Sequence, residues 1–456
     1  MRDAHACSFS LRSKTNMAKS KNQIELLAPA GSLEKLKYAI VYGADAVYAG
    51  TPDISMRARV NNFSEKDLAM AAEYAHARGK KIFVTVNIYA HNYHLPTVEK
   101  HLQFLKKIKI DGVIISDPGI IELAKKYLPG VDIHLSTQAN TTNWRAAKFW
   151  QEAGVKRIIL AREVILEDIQ EIHKRVPKLE LEYFVHGAMC MSYSGRCILS
   201  KWMSNQSANE GGCTQPCRWA YRPNDQFSIS NFQTNHNDKI SKQNAKKYKN
   251  IIVTEMQSGT EVELEEDSHG TYFFNSKDLN LIKHLTELRK AGVMAFKIEG
   301  RTKSAYYVAN TVRAYRKVID AIEAKKSSAE IKKIQKWSEQ ELDKLANRGY
   351  TEGFLLGNEP EHSFAGQQTS DAFQFVGEVL EANGGELKVK SHNALRKEDK
   401  IEIVTPEKNI PAKILAIYDE GKNKVVSAHG GHEKLYYVKI NKKDIQPLSL
   451  IRKINK

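Results

Sequence analysis

The chain has 456 residues, 42% of them hydrophobic, which is enough to bury a full core in one large domain with a smaller one beside it. Its 69 Lys and Arg against 53 Asp and Glu leave a net charge of +16, which suits a polyanionic partner such as nucleic acid and equally a merely basic, soluble surface. No run of about eighteen apolar residues occurs, which excludes a helical membrane span. Five cysteines in so long a chain are too few for a secreted disulfide scaffold and point to a reducing compartment, the cytoplasm.

The opening MRDAHACSFSLRSKTN is polar and lacks the apolar segment of a secretory signal. Residues 1–23 are therefore expected to form a disordered leader, or to reflect a start set too early with Met17 as the true one. From residue 24 short apolar strands each precede a helical pattern: IELLA, ADAVYAG, KIFVTVN, GVIISD, DIHLSTQ, RIILAR, LEYFVHG and finally AFKIEG. Between them, amphipathic stretches such as SLEKLKYAIVYG, EKDLAMAAEYAHARG and WRAAKFWQEAG close on the glycine expected just past a helix. Eight alternating units across 24–330 predict a (β/α)8 TIM-like barrel. An open parallel sheet shares this periodicity, because alternation alone does not show closure.

The seventh strand ends near His186, and AFKIEG begins only at Ala295. An insertion over 187–274 holds four of the five cysteines. Residues 226–249 within it are polar and poor in apolar content, so they are expected to be mobile. IIVTEMQSGTEVELEEDSHGTYFF reads as a hairpin and KDLNLIKHLTELRKAG as a helix leading into the last strand. After YYVANTVRAYRKVIDAIEA, a Lys-rich, basic connector spans 331–370. From there FQFVGEVLE, ELKVKS, KIEIVT, PAKILAIYDE, KVVSAH and KLYYVKI alternate between turns, predicting a small β-barrel over 371–456.

Cys190, Cys197, Cys213 and Cys217 are spaced C-x6-C-x15-C-x3-C directly after a barrel strand, hence at the face where barrel enzymes do their chemistry. Four thiolates suit a four-iron four-sulfur cluster or a structural zinc, and two disulfides would be the bland alternative. Only the second pair is as tight as structural zinc sites usually are, so spacing leans toward the cluster. Cys7 has no partner in sequence.

Strand alternation puts Glu182, Phe184 and His186 on one face, and Lys297, Glu299 and Arg301 together on another. These polar sets should face the barrel lumen, where charges must be paired or must serve a ligand. The competing reading is a Glu–Lys pair that only satisfies itself, and Glu182 is the member most open to it. Beyond the second strand, Arg57, Arg59, Asn61 and Asn62 form a loop over the same face, able to grip a dicarboxylate, touch RNA phosphates or simply solvate a surface. Gln138 and Arg162, after strands five and six, would complete a polar rim.

The stretch EYFVHGAMCMSYSGRCILS resembles the signature of the collagenase-like peptidase U family. ELLAPAGSLEKLKYAIVYGADAVYAG, the segment from Arg57 to Asn62, EEDSHGTYFFNSKDL and KIEGRTKSAYYVANTVRAYR resemble that family's other blocks. Members with a terminal β-domain include prephenate-dependent tRNA hydroxylases that form 5-hydroxyuridine at the wobble position. The resemblance therefore implies a four-iron four-sulfur cluster on Cys190, Cys197, Cys213 and Cys217, the tRNA anticodon loop as partner and prephenate as co-substrate. Relatives hydroxylate an rRNA cytidine or act in ubiquinone hydroxylation. Within that scheme Arg57 and Arg59, with Asn61 and Asn62, would hold prephenate, and His186, Glu299 and Glu182 would handle protons near the base. Peptidase chemistry lacks its usual motifs here, since no H-E-x-x-H and no G-x-S-x-G occurs.

Overall fold

The computed structural model describes residues 23–55, 63–190, 192–198, 200–201, 206–215, 217, 220–221, 250–254, 261–267, 270–272, 276–358, 360, 372–431 and 434–455. The expected leader up to residue 22, the loop 56–62 and the expected mobile segment 226–249 lie outside the described residues.

All eight expected barrel strands form: β1 (Glu25–Pro29), β2 (Ala46–Ala49), β3 (Lys81–Val86), β4 (Gly112–Ile115), β5 (Asp132–Leu135), β6 (Arg157–Ile159), β7 (Glu180–Ala188) and β8 (Val293–Ile298). Each pairs in parallel with its successor, and β8 also pairs with β1, so the sheet closes into an eight-stranded barrel. Closure decides against the open sheet. Strands such as AVYA and GVII are buried along their whole length, as expected when helices cover the outer face and side chains fill the lumen.

The helices are α1 (Leu33–Val41), α2 (Glu65–His76), α3 (Leu95–Lys107), α4 (Pro118–Tyr127), α5 (Trp144–Glu152), α6 (Leu166–Arg175), α7 (Leu285–Lys290), α8 (Ala305–Glu323) and α9 (Ser328–Leu342). Several start on a side-chain cap that satisfies an otherwise orphaned N–H: Ser32 accepts from the Lys35 amide, Asp117 from Gly119 and Ile120, and Ser304 from Tyr307. Ser64 with Asp67 and Ser327 with Glu330 form reciprocal capping boxes. Among the described residues no helix is long and apolar enough to cross a membrane.

The stretch KDLNLIKHLTELRKAG departs from the single helix expected of it. Asp278–Asn280 is a strand antiparallel to the end of β7, and α7 begins only at Leu285. Asp278 is clamped by Arg348 at 2.6 Å, and Asn280 accepts from the Ile282 amide, so two short polar side chains fix an extended segment that hydrophobic spacing alone reads as helical. Residues 331–342, in the stretch expected as a basic connector, belong to α9, which docks on α8 through the Ser338 hydroxyl bonded to the Ala314 carbonyl.

The C-terminal unit is a second closed barrel, antiparallel, of β9 (Phe373–Asn383), β10 (Glu386–Ser391), β11 (Lys400–Val404), β12 (Asn409–Tyr418), β13 (Leu435–Ile440) and β14 (Leu450–Ile454). The order is β11-β14-β9-β10-β13-β12, with β11 pairing β12 to close the ring. KVVSAH contributes only two short edge pairings, and β14 takes the sixth place instead. Arg452 hides that strand from the sequence, because a charged residue interrupts its apolar run, yet it is 0% exposed.

Arg452 is the joint between the barrels. It reaches Glu341 of α9 at 2.9 Å and Glu402 at 2.7 Å, while Arg313 of α8 bonds Glu341 at 2.7 Å and the Thr405 carbonyl at 2.9 Å. Burial alone would raise the Glu341 carboxyl, but hydrogen bonds from Arg452 and Lys344 and the Arg313 charge outweigh it and hold it at about 2. Glu341→Ala would leave two buried guanidiniums without their shared partner, and should cost about 3–5 kcal/mol in denaturant unfolding. The folded value lies below the ordinary 4.5, so the Glu341 contribution is complete above that pH and fades as the pH falls toward 2. The wild type should therefore lose stability in that window, and Glu341→Ala should show a shallower acid dependence there.

Candidate active site

A cavity of about 120 Å3 opens at the carboxyl end of the first barrel, lined from almost every side of the ring. Tyr48, Thr85, Ile114, Ile159, Phe184 and Lys297 reach it from strands, and Asn87, Ser136, Gln138, Arg162, Glu299 and Arg301 from the turns that follow them. All four clustered cysteines line the same cavity. A larger cleft of about 530 Å3 lies against α9, but it holds no thiol and carries a Lys283–Glu339 ion pair at 2.8 Å.

Beneath the cavity the lumen holds a buried charge network. Glu182, 0% exposed, accepts from Lys297 at 2.7 Å and from Arg157 at 3.2 Å, and Arg157 also contacts Glu25 at 2.5 Å and Glu180 at 2.8 Å. Burial pulls the Lys297 ammonium below the ordinary lysine value, with the Glu182 charge opposing. His134 beside them is held neutral, first by burial and then by the Arg157 and Lys297 charges. Glu182 thus has both oxygens committed to cations and does not line the cavity.

Above that floor runs a girdle of hydrogen-bonded polar side chains that includes the Arg301 cation. Arg301 donates to Ser55 at 2.8 Å and to Thr85 at 3.0 Å, and the Asn87 amide and Ser136 hydroxyl both reach the Gln138 oxygen, at 2.8 and 2.6 Å. Gly50 makes room for this cluster: a Cβ there would fall 2.3 Å from the Thr85 hydroxyl. Glu299 is half-buried at the cavity wall, and among the described residues its carboxylate has no hydrogen-bond partner.

The cysteine-bearing loop is pinned to the barrel by Glu163, which accepts from both the amide and the hydroxyl of Ser194 at 2.6 Å. The four thiols are half-buried and unbridged. The Ser192 hydroxyl lies 2.9 Å from the Cys190 sulfur, that of Ser200 lies 3.9 Å from Cys213, and the Cys197 amide donates to Asn209 at 3.3 Å. Among the described residues no group of three or more His, Cys, Asp or Glu is arranged to hold a metal ion. As a donor set, four thiols lining one cavity are soft ligands of the kind that iron–sulfur clusters and zinc both take.

Among the residues expected to handle protons, only Glu299 reaches the cavity. The register between β7 and β8 shifts between Phe184 and His186, so Phe184 faces the lumen opposite Lys297 while His186 turns outward with Ile298. His186 is 1% exposed, 3.3 Å from the Tyr315 hydroxyl and packed against Tyr307, Tyr315 and Tyr350. Burial pushes it down to about 3, so it stays neutral. A bulge is invisible to strict alternation, which is why the expectation failed. Arg57, Arg59, Asn61 and Asn62 lie outside the described residues. Thr85, Ser136 and Thr137 escaped the sequence reading. Their one signal is a polar residue at the carboxyl end of an apolar strand, as in the T-V-N ending of KIFVTVN.

Residues 31–364 match peptidase family U32, and residues 371–452 match the peptidase family U32 C-terminal domain. The chain is 42% identical over 441 residues to tRNA hydroxylation protein P of Haemophilus influenzae, covering 91% of this chain and 93% of the relative. It is 43% identical over 401 residues to tRNA hydroxylation protein P of Escherichia coli K12, covering 85% of this chain and 87% of the relative. To the 23S rRNA 5-hydroxycytidine synthase of Escherichia coli K12 it is 35% identical over 306 residues, 67% of this chain and 41% of that protein. Matches that span both barrels and the cysteine-bearing insertion leave one conclusion: the chain belongs to peptidase family U32.

Proposed function

We propose that this protein is a tRNA hydroxylase that replaces the C5 hydrogen of the wobble uridine by a hydroxyl group, with prephenate as co-substrate and a four-iron four-sulfur cluster on Cys190, Cys197, Cys213 and Cys217. The observation that carries this reading is the meeting of four unbridged thiols with Lys297, Glu299 and Arg301 in one cavity at the carboxyl end of a closed barrel. The names of the two relatives matched over most of the chain direct the substrate toward tRNA. A cluster supplies one-electron chemistry at potentials set by hydrogen bonds to its sulfurs, and the Ser192 and Ser200 hydroxyls stand where such bonds are made.

The chain's own residues do the rest. An anticodon loop is single-stranded, so a base can be splayed from it into a barrel mouth without breaking a duplex. Gln138, Asn87 and Thr85 offer amide and hydroxyl groups to the edge of such a base. In this scheme prephenate gives its hydroxyl group to C5 and is itself reduced, and Glu299 supplies a carboxylate to take the proton leaving C5 and return it to the reduced co-substrate, a role its lack of a described partner leaves open. Arg57 and Arg59, with Asn61 and Asn62, are assigned to grip prephenate, since their loop begins right after Ser55, whose hydroxyl touches Arg301. His186 and Glu182 act as structural supports. No histidine is among the described residues lining the cavity, which disfavours a cysteine peptidase, whose thiol needs a base.

Purified without air, the protein should be brown and contain iron, and Cys213→Ala should lose both colour and activity; zinc without iron would refute the cluster. Nucleoside mass spectrometry of tRNA from a deletion strain should show loss of 5-hydroxyuridine-derived wobble nucleosides. Wild type should restore them, and Cys190→Ala should not. Glu299→Gln should fold normally and lower turnover by about 100-fold or more, the scale of a lost general base, while His186→Ala should chiefly lower the melting temperature. Intact tRNA beside a missing hydroxycytidine in ribosomal RNA would transfer the protein to the activity of its rRNA-modifying relative.

A further inference from the structure

Along the barrel side of the cavity three cations alternate with two aromatic rings. The Arg162 guanidinium lies 4.2 Å from the Phe184 ring centre, the Lys297 ammonium is 5.4 Å from Phe184 and 4.4 Å from Tyr48, and the Arg301 guanidinium is 5.7 Å from Tyr48. All five residues line the cavity, and Glu299 is the one carboxylate among the described residues that do. The three cations differ in how they are held. Lys297 is ion-paired with Glu182, and Arg301 is fixed by the Ser55 and Thr85 hydroxyls. Arg162 is half-buried and has no carboxylate partner among the described residues.

A guanidinium stacked on a ring has its planar fork fixed in direction, and that fork matches a carboxylate by two parallel hydrogen bonds. Half-burying such a group with no carboxylate partner is costly unless an anion completes it. We infer that this wall is the binding site of a small dicarboxylate: one acid group on Arg162, the apolar body along Phe184 and Tyr48, the other acid group toward Arg301. The assignment rests on the small-acid co-substrate proposed above and locates its inner anchor at a residue that reading leaves unassigned. One feature favours a small acid over an RNA phosphate: the apolar rings of Phe184 and Tyr48 match a carbon skeleton better than a hydrated sugar-phosphate chain. Arg162 lines the same cavity as the thiols, so the competing role is to offset the charge of a cluster, and the test separates the two.

The test is equilibrium binding of prephenate to the anaerobically purified full chain by calorimetry, with tRNA binding and iron content measured on the same samples. Arg162→Ala should weaken prephenate binding at least about tenfold, the scale of one charge-assisted contact, and Arg162→Lys should recover part of it. Iron content and tRNA affinity should stay within twofold of wild type, and the loss should appear in KM for prephenate more than in kcat. Unchanged prephenate binding in Arg162→Ala, with wild type binding normally, overturns the anchor and leaves the co-substrate reading standing. A wild type that binds no prephenate overturns that reading, and the dicarboxylate site with it. Loss of iron in both variants would assign Arg162 to the cluster, and loss of tRNA affinity alone would assign it to phosphate; either result overturns the inference.

Discussion

The contact between Lys297 and Glu182, 2.7 Å apart and both buried, stands at the seam where the last barrel strand joins the seventh. An insertion separates these strands in sequence, so their union joins side chains 115 positions apart, and the pairing of the same last strand with β1 then completes the ring. Hydrophobic strand edges offer little to fix register, whereas a buried ion pair is strongly penalised when either partner is displaced, by about 3–5 kcal/mol. Arg157 ties the same carboxylate to Glu25 on β1 and Glu180 on β7, so one network reaches strands on both sides of the closing strand. With register set by these charges, Lys297, Glu299 and Arg301 emerge in order at the mouth. The cation row and the carboxylate in the cavity are consequences of the way the barrel is locked.

That seam also explains the fate of His186. Glu182, Phe184 and His186 would share a face in a regular strand, but β8 meets β7 with one residue skipped after Phe184. The skip turns His186 into the shell between β7 and α8, where Tyr315 donates to the Val185 carbonyl and closes over the ring. One extra residue in one strand therefore separates the aqueous face from a buried tyrosine cluster.

The eight barrel strands are legible because each is a short apolar run with a helix pattern behind it, and the meeting of the four cysteines at one cavity because they crowd into one insertion directly after a barrel strand. Glu182 could be flagged as paired or functional but not resolved between the two, since the deciding partner, Arg157, stands on another strand whose register no local pattern reports. The last strand of the small barrel was hidden for a related reason. Arg452 looks like a surface residue until Glu341, more than a hundred positions earlier, is seen to neutralise it. Both concern charges whose burial depends on distant partners that no local pattern reports. The strand at Asp278–Asn280 failed differently, through two local side-chain bonds that override a helical spacing.

Both barrels turn out to be organised around buried guanidiniums, Arg157 in the lumen of the first and Arg452 at the junction with the second. Each is neutralised by at least two carboxylates, so neither is free to meet a ligand. The half-buried Arg162 is held differently, by an aromatic face. It stands with Lys297 and Arg301 at the wall of the cavity that the four clustered thiols also line, and Arg301 is itself held by two hydroxyls. On the dicarboxylate assignment proposed above, charge balance at that wall would be completed from outside the chain, which would be the physical difference between a residue that builds the barrel and one that uses it.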